Sequence, residues 1–499
     1  MKKQSFLYGA SILAAASILC KIMSAMLKIP LDRFFLHEEG IAIYQSAYSI
    51  YNVFLAICVT GIPIALSSLV AKSSDEDAEN LCKSAFYAVT IFTSVCAVLL
   101  VAFSRPLALL LAGGNEPLAQ PSLIVLALSL PVMGIISSRR GYFQGKRQMT
   151  PSAVSQLSES FIKVVVGIAV CAFTVKNGVK YGAAGAVSGV TLGALSAALV
   201  LEIIYRKTPD KPLSRANISD AGKVIKLSVP MTLGAFAFTG VMLTDTLTVP
   251  KILAHCGMGV RERMQMMGYL TRANTVYNLP ATVISAFTAS AVPAVAAAIA
   301  AKDPKKVSEN TGRVIKLIFL VSVPAMLGMI LFSKEILVLL YSSSAHSQLL
   351  MLAGLMTLIM PFVQTSTAML QTFGCVWLPI AVSMAGVLIK GILNFFLVRH
   401  FGVEGAPLAT VIAFAAVLIV NVILLARKTS IKNTVMPLFK ILICAFIACG
   451  VARAVYTAKE GLLMLAVSLG TAAVIYGIGV LVTGVIKKEE FLSKQKDVE

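Results

Sequence analysis

Acidic side chains are scarce in this chain. Of 499 residues only 23 are Asp or Glu, against 43 Lys and Arg, and just 13% are charged at all. Soluble domains carry about 25% charged residues, so a chain with 58% apolar side chains cannot clothe a water-facing surface. That excludes a soluble single-domain enzyme first and a disordered basic nucleic-acid binder second. Histidine is sparse too. His37, His255, His346 and His400 stand far apart, and the nine Cys include no Cys-x-x-Cys pair. Metal sites need close ligand spacing, so no metal and no other cofactor is expected.

What the chain holds instead is long apolar runs, each able to cross roughly 30 Å of hydrocarbon. They cover about 5–29, 41–71, 81–104, 119–138, 150–175, 182–205, 219–248, 272–301, 311–333, 346–373, 377–399, 404–426, 436–457 and 461–486. The fold class expected is therefore an all-α polytopic membrane protein of about fourteen transmembrane helices. The first run follows Met1-Lys2-Lys3 and imitates a signal peptide. It continues to Ile29, however, and bulky Leu19 before Cys20 argues against a lipoprotein signal. Bent or broken helices are expected at Gly61/Pro63, Pro131, Pro230, Pro280, Pro293, Pro324 and Pro361.

Orientation follows from Lys and Arg alone. With the N-terminus inside, 27 of them fall on cytoplasmic segments, 12 on external segments and four (Lys21, Lys28, Lys163, Lys390) inside spans. Both termini are expected in the cytoplasm. Most of the +20 formal charge is thus a topology signal, and no nucleic-acid partner is required.

The chain also repeats itself. Tyr51-Asn52 is matched by Tyr277-Asn278, Pro63 and Lys72 by Pro293 and Lys302, and Phe103-Ser104-Arg105 by Phe332-Ser333-Lys334. Pro151-Ser-Ala-Val-Ser155 matches Pro379-Ile-Ala-Val-Ser383, and Ile162-Lys163 matches Ile389-Lys390. Tyr181-Gly182-x-x-Gly185-Ala186 matches Phe401-Gly402-x-x-Gly405-Ala406. Offsets run at 226–230, falling to about 220 at the end. The organisation expected is a six-helix lobe over 1–205, a cytoplasmic linker over 206–226 and a second six-helix lobe over 219–427. Helices 13 and 14 occupy 436–486, and a cytoplasmic tail 487–499. Parallel repeats of this kind suit a substrate site between lobes that rock.

The stretch Lys21-Ile-Met-Ser-Ala-Met-Leu-Lys-Ile-Pro-Leu31, with Tyr44-Gln-Ser-Ala-Tyr-Ser-Ile-Tyr51 and Gly61-Ile-Pro63, resembles the stage V sporulation protein B family. So do Asp245-Thr-Leu-Thr-Val-Pro-Lys251, Gly268-Tyr-Leu-Thr271 and Asn278-Leu-Pro280. That family lies in the multidrug/oligosaccharidyl-lipid/polysaccharide (MOP) exporter superfamily, with MurJ-type lipid II flippases as relatives. The resemblance implies a V-shaped, two-lobed transporter of the bacterial cytoplasmic membrane that flips an undecaprenyl-linked saccharide, with helices 13 and 14 forming a groove for the lipid tail.

A cation inside a span costs about 2.5–3.5 kcal/mol on insertion scales, so each one needs a reason. Lys21 and Lys28 lie two turns apart on nearly one face of helix 1 and are candidates to hold a diphosphate headgroup; Lys28 could instead snorkel to the outer interface. Arg272 fits the helix 8 arginine of MurJ-type relatives, with Asn274 and Asn278 beside it, or else it is an interfacial anchor. Relatives carry a helix 1 Arg where Leu27 aligns, and basic residues in helix 2. Here helix 2 offers Tyr44, Tyr48, Tyr51 and Asn52, which suit sugar hydroxyls or plain packing. Asp245 is the one acid well inside a second-lobe span. Some relatives build a sodium site from the positions matched by Asp245, Lys390, Asn394 and Thr410. An ammonium at Lys390 would occupy the cation's place, so Asp245 is expected to pair with Lys390 or to bind a proton.

Three smaller features carry expectations of their own. Glu159 and Lys163, four apart, should neutralise one another. The Gly185-x-x-x-Gly189-x-x-x-Gly193 series should allow close helix approach. The acidic run Asp75, Glu76, Asp77, Glu79 should be a solvated loop face.

The leading function is alternating-access export of a lipid-linked cell-envelope precursor by a monomer, lipid II-like in the first instance, with the substrate and the bilayer as partners. Alternatives are a teichoic-acid or capsule precursor flippase and a cation-coupled multidrug exporter. A membrane glycan polymerase needs an acid or base at a roomy external face. The longest external loop expected, about 249–271, offers only Glu262.

Overall fold

The computed structural model describes residues 6–56, 61–112, 117–208, 216–430, 435–458 and 461–485, and their regular secondary structure is helical throughout. Helix α1 (Phe6–Pro30) passes into a π-helical stretch, Leu31–Leu36. The chain then breaks at His37, where φ is 50°, to start α2 (His37–Leu55). Next come α3 (Gly61–Val70), α4 (Asp75–Ala102), α5 (Ser104–Ala112), α6 (Gln120–Ala127), α7 (Leu130–Gly145), α8 (Thr150–Thr174) and α9 (Val179–Arg206). The second stretch of chain forms α10 (Ile218–His255), α11 (Val260–Ala300), α12 (Pro304–Leu331), α13 (Ser333–Tyr341) and α14 (Ser347–Thr372). It closes with α15 (Trp377–Phe401), α16 (Gly405–Lys428), α17 (Val435–Ala458) and α18 (Leu462–Val482).

Among the described residues nine helical segments are long and apolar enough to cross a membrane, or ten if the bent pair α6–α7 is one span. One of the nine, Trp377–Lys428, is 52 residues long and comprises α15 and α16, broken at Gly402 with φ 64°. Large apolar side chains stand exposed along these helices, among them Val98 at 68%, Phe173 at 75% and Val482 at 79%. Such surface suits lipid, not water.

Several boundaries differ from the sequence reading. In the run 41–71 the described residues form α2 and α3, and residues 57–60 lie outside the described ones. The bend before Pro131 is present, 40° between α6 and α7. In contrast α10, α11, α12 and α14 run unbroken through Pro230, Pro280, Pro293, Pro324 and Pro361. The expected loop 249–271 is almost wholly helix, since α10 reaches His255 and α11 starts at Val260; Arg261-Glu-Arg-Met-Gln-Met-Met267 is made of good helix formers. The acidic run opens α4 in place of a loop. Ser74 caps it, accepting from the Asp77 amide, and Glu79 is buried against the Tyr205 hydroxyl. Residues 209–215 of the linker and the tail 487–499 lie outside the described residues.

The chain forms two compact units. The first holds Met1–Thr275 and Val376–Ala413, and the second Val276–Cys375 and Phe414–Glu499. Within the first, α8 and α9 pack most closely. A Cβ on Gly189 would sit 2.4 Å from the Lys163 carbonyl oxygen, and one on Gly193 2.6 Å from that of Glu159. The glycine series thus brings two backbones together, which is how helices associate where lipid removes the hydrophobic drive. Ile62, Leu66, Val70, Ile136 and Phe143 form a core on α3 and α7. The second unit has its own core of Ile284, Val314, Ile318, Phe362 and Leu370, and another where Val323 meets Ile441 and Val480. Outside the membrane, Asp303 caps α12. The bond from the Lys306 amide, 3.0 Å long, holds its carboxyl below the ordinary range.

Candidate functional site

Three polar clusters lie in the first unit. The first runs along α1, where Ser17, Lys21, Ser24 and Lys28 recur at helical spacing and share a face. Helix α8 packs on α1 and presents Gln156, Ser160 and Lys163 at the same period. Ser17 Oγ donates to Gln156 Oε1 at 3.3 Å, and Lys163 Nζ donates to Ser24 Oγ at 3.1 Å, while that hydroxyl donates to the Cys20 carbonyl. Lys28 Nζ donates to Gln45 Oε1 of α2 at 2.8 Å. Lys21 is exposed on α1.

The local pairing expected between Glu159 and Lys163 is not made. Glu159 accepts from Arg140 Nη2 at 2.8 Å, and the same guanidinium reaches Ser155. A planar guanidinium offers several donors in a fixed fork, so Arg140 outcompetes the flexible ammonium one turn away.

On α2, Tyr44 and Tyr48 stack at 5.8 Å with planes 9° apart, and Tyr51 follows at 5.8 Å. Tyr44 and Tyr51 are fully buried, and Tyr51 Oη lies 2.8 Å from Ser129 Oγ. Those two rings pack the interior. Tyr48 and Asn52 are half-buried and keep accessible edges.

The second cluster gathers around Arg272, 5% exposed near the middle of α11's first half. Its Nε and Nη2 engage both oxygens of Asp32 at 2.8 and 2.7 Å, and Nη1 engages Glu38 at 2.7 Å. The Tyr269 ring lies 5.5 Å from the guanidinium carbon. Gly268 makes this approach possible, since a Cβ there would fall 2.1 Å from the Glu38 carbonyl oxygen. The arginine read as a headgroup ligand therefore has its fork filled by two carboxylates in this conformation. Asp32 and Glu38 escaped the sequence reading. Asp32, the first acid after helix 1, was the available clue. Asn274 and Asn278 are half-buried further along α11.

The third cluster is the most buried. Lys390 on α15 is 0% exposed, and its Nζ donates to Asp245 Oδ2 and to the Val241 carbonyl, each at 2.7 Å. Asn394 donates to Asp245 Oδ1 at 3.0 Å and to Thr248 Oγ1 at 2.9 Å. Thr410 is not among these partners: it is buried and bonds back to the Ala406 carbonyl at 3.0 Å. Thr248, one turn below Asp245 on α10, fills out the cluster instead, a place legible from the i, i+3 spacing. The carboxylate is met by an ammonium and an amide, so the cluster is neutral as it stands.

A model of the family described as polysaccharide biosynthesis protein matches residues 6–299, more than half of the chain. The chain belongs to the polysaccharide biosynthesis protein family. A MatE model also matches residues 265–396. Over 98% of both chains this family member is 27% identical to stage V sporulation protein B of Bacillus subtilis. It is 25% identical to lipid II flippase MurJ of the same organism, over 87% of this chain and 86% of that one. Among solved structures, lipid II flippase MurJ in an inward closed conformation superposes with a TM-score of 0.73, at 16% identity, over 94% of this chain and 98% of that one. An inward-facing MATE family transporter of the MOP superfamily gives 0.68 at 15% identity, over 85% and 99%. At those identities the likeness is one of fold. The polysaccharide biosynthesis family member is a multi-pass bacterial membrane protein of the MOP superfamily, a transporter and not an enzyme.

Proposed function

We propose that the protein is an alternating-access flippase that carries an undecaprenyl-diphosphate-linked saccharide, lipid II-like, from the inner to the outer leaflet of the cytoplasmic membrane. One observation carries the reading. Lys21 and Lys28 line one face of α1, a helix that contains no Asp or Glu from Phe6 to Pro30. Positive charge without local compensation inside a membrane favours an anionic substrate, and Lys is a compact point charge suited to phosphate. Tyr48, Asn52 and Asn274 supply hydrogen-bonding edges for the saccharide, and Arg272 joins the headgroup when its carboxylate partners release it. The name of the MurJ relative and its shared fold support the same class of cargo.

The accompanying architecture is fourteen helices, in six-helix lobes 1–205 and 219–427 joined by 206–226, with helices 13 and 14 over 436–486. Both termini face the cytoplasm, and the protein works as a monomer. The Lys390 ammonium, 2.7 Å from Asp245, stands where a coupling cation would bind, so transport is independent of sodium. A multidrug exporter of the same fold is the second reading, favoured by the MATE likeness, but a cationic drug would meet lysines.

Purified protein in proteoliposomes, offered fluorescent lipid-linked saccharides, tests this directly. Transfer of the diphosphate-linked substrate, unchanged when sodium is replaced by potassium, is expected. Transfer confined to cationic drugs would overturn the proposal. Sodium-stimulated flipping lost in Asp245→Asn would sink its sodium-independent part.

A further inference from the structure

Lys163 and Lys390 are the same lysine copied twice, in Ile162-Lys163 and Ile389-Lys390. Each sits on a helix packed against the first helix of its half: α8 against α1, and α15 against α10. The two copies have met different fates. Lys390 faces Asp245, whereas Lys163 faces a helix with no acid and, among the described residues, bonds only to Ser24 Oγ, 3.1 Å away. The nearest carboxylate in sequence, Glu159, is held by Arg140.

Lys28 stands in the same condition. Among the described residues its one polar partner is the neutral Gln45 amide, and it lies one turn beyond Ser24, the residue that holds the Lys163 ammonium, on the same face of α1. Among the described residues no carboxylate lies within ion-pair distance of Lys28 or Lys163. Both are half-buried, so water reaches them and so could a ligand. Two cations on neighbouring turns, each held by a neutral oxygen, suit an anion. One negative charge would settle either lysine, but a group with charge on two adjacent phosphates would settle both.

We infer that Lys163 and Lys28 together form the diphosphate-binding seat of the transporter, with Lys21 at its edge, and that Lys163 is a specificity-determining residue. This rests on the proposed cargo and names the groups that select it. It also makes the Asp245–Lys390 pair the closed counterpart of an open site.

The experiment compares wild-type protein with Lys163→Gln, Lys163→Arg and Ser24→Asp, the last installing on α1 the acid that α10 already carries. Binding of a lipid-linked diphosphate saccharide is measured in detergent, with inorganic pyrophosphate and inorganic phosphate as competitors, alongside thermal unfolding. Lys163→Gln and Ser24→Asp are each expected to weaken binding about tenfold or more, the loss of one charge-assisted contact. Lys163→Arg should stay near wild type, pyrophosphate should compete better than phosphate, and no variant should unfold earlier. Wild-type affinity in Lys163→Gln, or weaker binding matched by earlier unfolding in all three variants, would overturn the seat. Lys163-dependent pyrophosphate binding without any binding of the lipid-linked saccharide would keep the seat and remove the proposed cargo. Binding of neither probe by wild type removes both.

Discussion

Replacing Lys390 with Met isolates what the Asp245 pair contributes. Unit charges 2.7 Å apart attract by about 6 kcal/mol at an effective dielectric of ~20. Desolvating each ion costs several kcal/mol, so the intact pair comes out near break-even. Removing one partner removes the attraction and leaves the other charge stranded. Lys390→Met keeps the side-chain volume but leaves Asp245 with a single Asn394 bond, and should lose about 3–5 kcal/mol. Asp245→Asn leaves Lys390 the Val241 carbonyl and an amide oxygen, so its loss should be smaller, about 1.5–3 kcal/mol. Lys390→Met with Asp245→Leu should return to within about 1–2 kcal/mol of wild type. Reversible denaturant unfolding in mixed micelles measures all three. A double variant no more stable than Lys390→Met alone would refute the reasoning, because removing the stranded carboxylate would then recover nothing.

Further expectations follow from the other clusters. Arg272→Leu strands Asp32 and Glu38 and should lower thermal stability by about 3–5 kcal/mol, while Arg272→Leu with Asp32→Asn recovers part of it; equal stability in single and double variants would count against a buried ion cluster. Gly189→Leu drives a side chain into the Lys163 carbonyl and should abolish folded, monodisperse protein on size-exclusion chromatography, whereas Gly222→Ala, with open space around it, should not. Asp303 has a depressed carboxyl pKa, so its capping of α12 is fully present above the carboxyl's unfolded value and fades as pH falls through the folded one. Amide-exchange protection at Lys306, corrected for intrinsic rates, should drop over that acidic window in wild type and stay flat in Asp303→Asn.

How far these features were legible in the sequence depended on how local their causes are. That apolar helices long enough to cross a membrane recur, nine or ten of them among the described residues, was readable because hydrophobicity is a property of each run, and the Gly185–Gly193 series because close helix approach needs small residues at fixed spacing. Helix ends beyond the bilayer were not, since residues 249–271 are polar yet good helix formers, and polarity alone suggested a loop. Ion pairing was misread wherever the winning partner came from elsewhere in the chain. Glu159 and Lys163 satisfied a local rule, but Arg140 arrives from α7. Arg272 reads as a headgroup ligand or an interfacial anchor, since its partner Asp32 lies 240 residues earlier. Asp245 and Lys390, 145 residues apart, became readable as a pair only through the family resemblance. Thr248 was legible from its i, i+3 spacing to Asp245, whereas nothing in the sequence showed that Thr410 bonds back to its own helix.

The central claim is that the cationic face of acid-free α1, joined by Lys163 of α8, carries a diphosphate-linked lipid across the membrane. Its most direct test is a proteoliposome flipping assay of wild type beside Lys28→Gln with Lys163→Gln, using lipid-diphosphate and lipid-monophosphate saccharides in parallel. The account predicts transfer of the diphosphate substrate by wild type, little transfer of the monophosphate, and loss of diphosphate transfer in the double variant with its fold intact. Equal transfer of both substrates, or full transfer by the double variant, would contradict it.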